Sequence, residues 1–167
     1  DANARAFAIA AHVHNDLRVG PVRLIPGIRM ESIRSSYNRV NEETIPAIHR
    51  TSFMPGFGIN TELTSWANLF GGVHRGFSPV APGQAKEVSP EISWNYELGL
   101  RIHPGVQIDM VGFLNDYTNV TGACTISSGC NQDDIGTQFN GGAALIYGAE
   151  LSMAHILYLP AAMSLPI

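Results

Sequence analysis

The residues with the most chemistry for their spacing stand in "HVHND", where His12, His14 and Asp16 recur at every second position. In an extended strand such positions share one face, and an H-x-H pair on one face can chelate a transition metal. The competing reading is two histidines and an acid lining the wet side of a strand. No further Cys, His or carboxylate cluster of convincing spacing completes a site. His12 and His14 are therefore weak metal candidates, and no resident metal or cofactor is expected. The G-x-S-x-G, Walker A, G-x-G-x-x-G and H-E-x-x-H patterns do not occur. A Ser-His-Asp set is assembled in space rather than in sequence, but nothing marks one out, so the chain is not expected to be an enzyme.

Binding chemistry concentrates in polar stretches between apolar ones. "IHRTS" offers His49 and Arg50, "VHRGFSP" offers His74 and Arg75, "GQAK" offers Gln84 and Lys86, and "DDIGTQFNGG" offers Gln138 and Asn140. Cations and amides gathered at a vestibule would grip an anionic ligand through charge-assisted hydrogen bonds. For any one of them taken singly, an ordinary solvated loop residue is the favoured reading. Cys124 and Cys130 in "GACTISSGCNQ" are spaced too widely for a C-x-x-C site and have no nearby His. A local disulfide pinning a loop in an oxidising compartment is favoured over two free thiols.

Composition narrows the setting. Of 167 residues 45% are hydrophobic and only 14% charged, against roughly 25% charged in an average soluble domain. The net charge of −4 provides no basic surface, so no nucleic-acid partner is expected. The longest apolar run, "GGAALIYGAELSMAHILYLPAAM", is broken by Glu150, His155 and glycines and alternates in its middle, unlike a membrane-spanning helix. The chain opens at Asp1 without an initiator Met and stops at "MSLPI", in what reads as a new strand; it is expected to be a piece of a longer protein.

The elements that must carry these residues are strands. "EISWNYELGLR" sets Trp94, Tyr96, Leu98 and Leu100 against Glu97 and Arg101 in strict alternation. Similar alternation predicts strands over 5–18, 22–33, 53–60, 66–75, 92–102, 106–117 and 143–156, then the start of an eighth. The connections run short, long, short, long. An antiparallel up-and-down meander then has every tight turn at one end and every long loop at the other. This is the sorting of an outer-membrane β-barrel, and seven long strands without closure would leave two unpaired edges. In that reading Trp94, Tyr96, Leu98 and Leu100 face lipid. Arg23, Arg29, Glu31, Glu97, Arg101, Asp109 and Glu150 line a hydrated lumen. Phe70 and Phe113 fall on the wetter face and fit less well. The alternative is a soluble secreted β-sandwich acting as a binding module, its apolar faces buried between two sheets.

The stretch "FGINTELTSWANLFGGVHRGFSPVAPGQAKEVSPEISWNYELGLR" resembles the barrel of TonB-dependent outer-membrane receptors, through "RGFSP" at 75–79 and "PEISWNYELGLR" at 90–101. "IPGIRMESI", "FLNDYTNV", the Cys-bearing loop and "GAEL" extend the resemblance over nearly the whole chain, with a flavour of the ferric-dicitrate branch. It implies seven to eight strands of a 22-stranded barrel in the bacterial outer membrane, 1–167 being a partial barrel without the plug domain. The implied activity is TonB-coupled import of a ferric chelate, a siderophore or ferric dicitrate. The TonB complex would be reached through the missing N-terminal region, and the other partners would be the chelate and outer-membrane lipid.

Overall fold

A computed structural model of the chain describes residues 2–39, 45–84, 88–103, 105–159 and 163–166. They form β1 (Ala2–His14), β2 (Leu17–Val19), β3 (Val22–Arg39), β4 (Ile45–Thr64), β5 (Ala67–Ser78), β6 (Glu91–Ile102) and β7 (Val106–Thr118). The small strands β8 (Thr121–Ala123) and β9 (Gln138–Asn140) follow, then β10 (Ala144–Leu159) and β11 (Met163–Pro166). One antiparallel sheet runs in the order β1-β3-β4-β5-β6-β7-β10-β11, with β2 also on β3, and β8 pairs with β9 in a separate hairpin. Every long neighbour pair is consecutive along this path, as the predicted meander requires.

The tight turns are set by local chemistry. Gly20 (φ 59°) and Gly105 (φ 74°) adopt the left-handed conformation that glycine takes at no steric cost. At the same end the Glu62 N–H donates to the Pro21 carbonyl at 3.1 Å and the His103 N–H to the Trp66 carbonyl at 2.8 Å. The predicted first strand is broken at Asn15 and Asp16, between β1 and β2. The main departure is at the other end. β3 reaches Arg39 and β4 begins at Ile45, where a long loop with a short strand over 53–60 is predicted. Register pairs such as Arg34 with His49 carry the hairpin on. The ladder satisfies the backbone there whatever the side chains, and with polar residues on both faces the alternation that betrays a strand disappears.

The pairing register sorts side chains onto two faces. Leu100 pairs with Leu69 and Met110, Tyr96 with Val73 and Leu114, and Met110 in turn with Leu151. Across the sheet, Phe57 lies beside Pro26 and Val13 beside Ile28. This apolar face runs from Val22 to Met30 in β3, Phe53 to Leu63 in β4 and Val106 to Leu114 in β7. No second layer covers it. Phe7, Leu98, Tyr147, Leu151 and Met153 are all more than 60% exposed, and the buried apolar residues among those described are Ala67, Val88 and Cys124 alone. A sandwich core would show the reverse, so this chain does not build the soluble alternative.

Candidate functional site

All seven charges predicted to share a face do so. Arg23, Arg29, Glu31, Glu97, Arg101, Asp109 and Glu150 lie on the face opposite the apolar one, and Trp94, Tyr96, Leu98 and Leu100 on the apolar one. The polar face is organised as ion pairs along and across strands. Arg101 Nε donates to Asp109 Oδ1 at 2.7 Å, and Gln107 Nε2 donates to its Oδ2 at 3.0 Å. Arg29 Nη2 lies 3.1 Å from Glu31 Oε2. Arg23 Nε donates to both oxygens of Asp16 at 2.8 Å, and this guanidinium holds the Asp16 carboxyl, in its turn outside the strands, below the usual carboxylate range. Glu97 and Glu150 have no side-chain partner among the described residues.

The two aromatic residues on this face are explained by glycine. A Cβ on Gly99 would lie 2.3 Å from the Phe70 ring, and one on Gly148 would lie 2.8 Å from Phe113. Each phenyl lies across a bare backbone on the neighbouring strand, which shields the strand without needing a packed layer. Arg101 caps the arrangement, its guanidinium carbon 5.4 Å from the Phe70 ring centroid.

His12 and His14 stand parallel on the same face, ring centroids 6.1 Å apart, while Asp16 is held by Arg23 rather than turned toward them. Among the described residues no group of three His, Cys, Asp or Glu is placed to hold a metal.

The eight vestibule candidates divide. His49 and Arg50 are not loop residues, as their sequence context predicts, but strand residues of β4, while His74 and Arg75 lie in β5, within the strand that alternation predicts over 66–75. Consecutive strand positions point oppositely, so each pair is split between the faces. His74 lies on the polar face beside Gly56 and Asn95, with no side-chain partner among the described residues. Arg75 lies on the apolar face opposite Trp94, and its Nη1 donates to the Phe53 carbonyl at 2.5 Å. His49 Nε2 is 2.8 Å from Ser32 Oγ. Arg50 Nη2 donates to the Val88 carbonyl at 2.7 Å.

Gln84, Gln138 and Asn140 are brought together, but onto each other's loops. The Gln138 N–H donates to Gln84 Oε1 at 2.6 Å, and the Ala81 N–H donates to Gln138 Oε1 at 3.1 Å. Asn140 accepts from the Ser89 N–H at 2.8 Å and donates to the carbonyls of Ser89 and Asn119 at 2.9 and 3.2 Å. Ala81, Gln84 and Ser89 are thereby tied to Gln138 and Asn140. Cys124 and Cys130 form a disulfide, Cα atoms 5.6 Å apart. Lys86 lies outside the described residues. Sequence reasoning missed the partners Ser89, Asn119 and Val88, because docking between loops distant in sequence leaves no periodic signal.

The family model for the TonB-dependent receptor-like β-barrel matches residues 1–164. Comparison with curated proteins finds no match. Among solved structures, the chain is similar to the ferric citrate transporter FecA in its unliganded form, at 21% identity and TM-score 0.74 over 92% of this chain and 23% of that one. The alcaligin outer-membrane receptor FauA of Bordetella pertussis matches at 17% identity and TM-score 0.72, over 95% and 28%. The copper transporter OprC matches at 14% identity and TM-score 0.71, over 93% and 27%. The chain thus spans about a quarter of the length of these structures.

Proposed function

Because the chain belongs to the TonB-dependent receptor-like β-barrel family, we propose that it is the part of an active transporter whose polar face lines a lumen and whose apolar face meets lipid. The family is one of transporters rather than enzymes, and its barrels lie in the bacterial outer membrane, which is where this chain resides. One observation carries the orientation. The apolar bands of β3, β4 and β7 run nine to eleven residues each, the length a tilted strand needs to cross the hydrocarbon layer. Trp66 and Trp94 lie toward opposite ends of the band, the positions of interfacial aromatic girdles.

The proposed cargo is a ferric chelate, taken up with TonB-coupled energy. The named ligands of two matched structures, ferric citrate and alcaligin, support the chelate, while the copper of the third shows that this architecture does not itself select iron. Plug and TonB contacts are proposed for parts of the receptor beyond these residues. The loop contacts built by Gln84, Gln138 and Asn140 are the proposed scaffold of the vestibule, and His74, whose side chain has no partner among the described residues, is the residue from this segment proposed to meet cargo or plug.

Cells carrying the whole receptor are expected to accumulate radioactive iron supplied as its citrate or siderophore chelate only when TonB is present; accumulation independent of TonB would overturn the coupling. A nitroxide on Leu98→Cys is expected to be relaxed by oxygen dissolved in lipid, and one on Glu97→Cys by a water-soluble nickel chelate. The reverse pattern would invert the two faces.

A further inference from the structure

Asn140 is followed by two glycines in "FNGG". Asparagine is a thermolabile side chain, and a following glycine makes it most so, because no Cβ hinders ring closure and the glycine backbone turns freely. In the reaction the Gly141 backbone nitrogen loses its proton and attacks the Asn140 side-chain carbonyl carbon. A carbon–nitrogen bond forms, the bond to the side-chain nitrogen breaks, and ammonia leaves. Water then opens the succinimide at either carbonyl and leaves aspartate or isoaspartate. Water and base are the only reagents.

Both reacting groups are held back from this step. The Asn140 carboxamide oxygen accepts from the Ser89 N–H at 2.8 Å, and its nitrogen donates to the carbonyls of Ser89 and Asn119 at 2.9 and 3.2 Å. The Gly141 N–H, whose proton must leave, donates to the Val120 carbonyl at 2.6 Å, and the Val120 N–H donates to the Gly142 carbonyl at 2.9 Å. Asn140 ends β9 in register with Thr121. In such extended backbone the side chain and the next nitrogen are rotated apart about the Cα–C bond, so the ring cannot close. Burial adds nothing, since Asn140 is exposed to water. Its inertness therefore rests on hydrogen bonds, and the two with Ser89 last only while the loops are docked.

We infer that Asn140 is a covalent modification site gated by loop docking: it deamidates when the Ser89 contacts open, and the product does not dock again. The product carboxylate is an acceptor only. It sets a charged oxygen against the Ser89 and Asn119 carbonyls where the amide nitrogen donated, and leaves both without their partner. Isoaspartate also lengthens the backbone by one carbon and breaks the register with Thr121. Loop opening, otherwise reversible, thus becomes permanent in a fraction of molecules that grows with the time spent open.

The test incubates the whole receptor in warm, mildly alkaline buffer and follows aspartate and isoaspartate at position 140 by peptide mapping. Folded receptor is expected to deamidate at least about tenfold more slowly than the same receptor unfolded in urea. Ser89→Pro removes the N–H that Asn140 accepts from and should raise the folded rate about tenfold. Gln84→Ala/Gln138→Ala loosens the same docking without touching Ser89 or Asn140 and should shift the rate in the same direction. Gly141→Ala should slow the unfolded chain, which identifies ring closure as the route. Equal rates in folded and unfolded receptor would overturn the protection, and unchanged rates in both docking variants would overturn the gate. Asn140→Asp reproduces one product and should raise hydrogen exchange at Ser89 about tenfold; unchanged exchange would show that the acid docks as well as the amide and would overturn the permanence.

Discussion

Phe70 and Phe113 show how a residue that contradicts its face can belong there. Each covers a glycine on the adjacent strand, so the apolar surface shielded is partly backbone, and Arg101 over Phe70 returns the site to polar chemistry. The consequence is a contrast between two glycines. A methyl on Gly99 meets the Phe70 ring, whereas on Gly112 its nearest neighbour is the Leu98 carbonyl at 3.9 Å. Gly99→Ala should therefore destabilise the receptor by about 1–3 kcal/mol as the ring is displaced, and Gly112→Ala by less than about 0.5 kcal/mol. Thermal unfolding of both variants in the same detergent checks this; equal midpoints would mean that Phe70 moves aside at no cost. The lone alternation pattern could flag these phenyls as anomalies but could not show their glycines, which lie on other strands.

At the level of elements, the extended β3–β4 hairpin and the loop contacts make the outer end of this segment more ordered than its polar sequence implies. Asn140 makes two of the hydrogen bonds that join the stretches around Ser89 and Gln138, both with Ser89, and a third within its own stretch to the Asn119 carbonyl. Removing it leaves the Ser89 amide without its acceptor, a loss of about 1–3 kcal/mol felt locally. Asn140→Ala is thus expected to raise hydrogen exchange at Ser89 at least tenfold while leaving β6 and β7 protected. Unchanged exchange at Ser89 would show that Gln84, Gln138 and Arg50 hold these loops unaided. The strand centres were legible from period-two alternation, because there one face is apolar and the other wet. The strand extensions and the loop docking were not, since polar residues on both faces carry no period.

For the molecule as a whole, the exposed apolar face and the open sheet edges at β1 and β11 point the same way. The chain expressed alone is expected to require detergent and to aggregate on its removal, because both features invite association; a soluble monomer without detergent would contradict a lipid-facing surface. The faces should also differ in tolerance. Leu98→Arg at mid-band should cost about 2–4 kcal/mol in a bilayer, while Glu97→Gln, one residue away on the polar face, should stay within about 0.5 kcal/mol. Urea unfolding of the receptor from lipid vesicles measures both.

The sequence by itself determined the strand centres, their antiparallel order and the alternation that divides their side chains between two faces. These follow from the spacing of apolar residues and from turn residues such as Gly20 and Gly105, which act within a few positions of the chain. The tertiary structure decided what those positions meet. It split His49 from Arg50 and His74 from Arg75 across the sheet and engaged the side chains of Gln138 and Asn140 with a neighbouring loop. Each of these depends on register between strands or on contact between distant loops, and neither is written in local spacing.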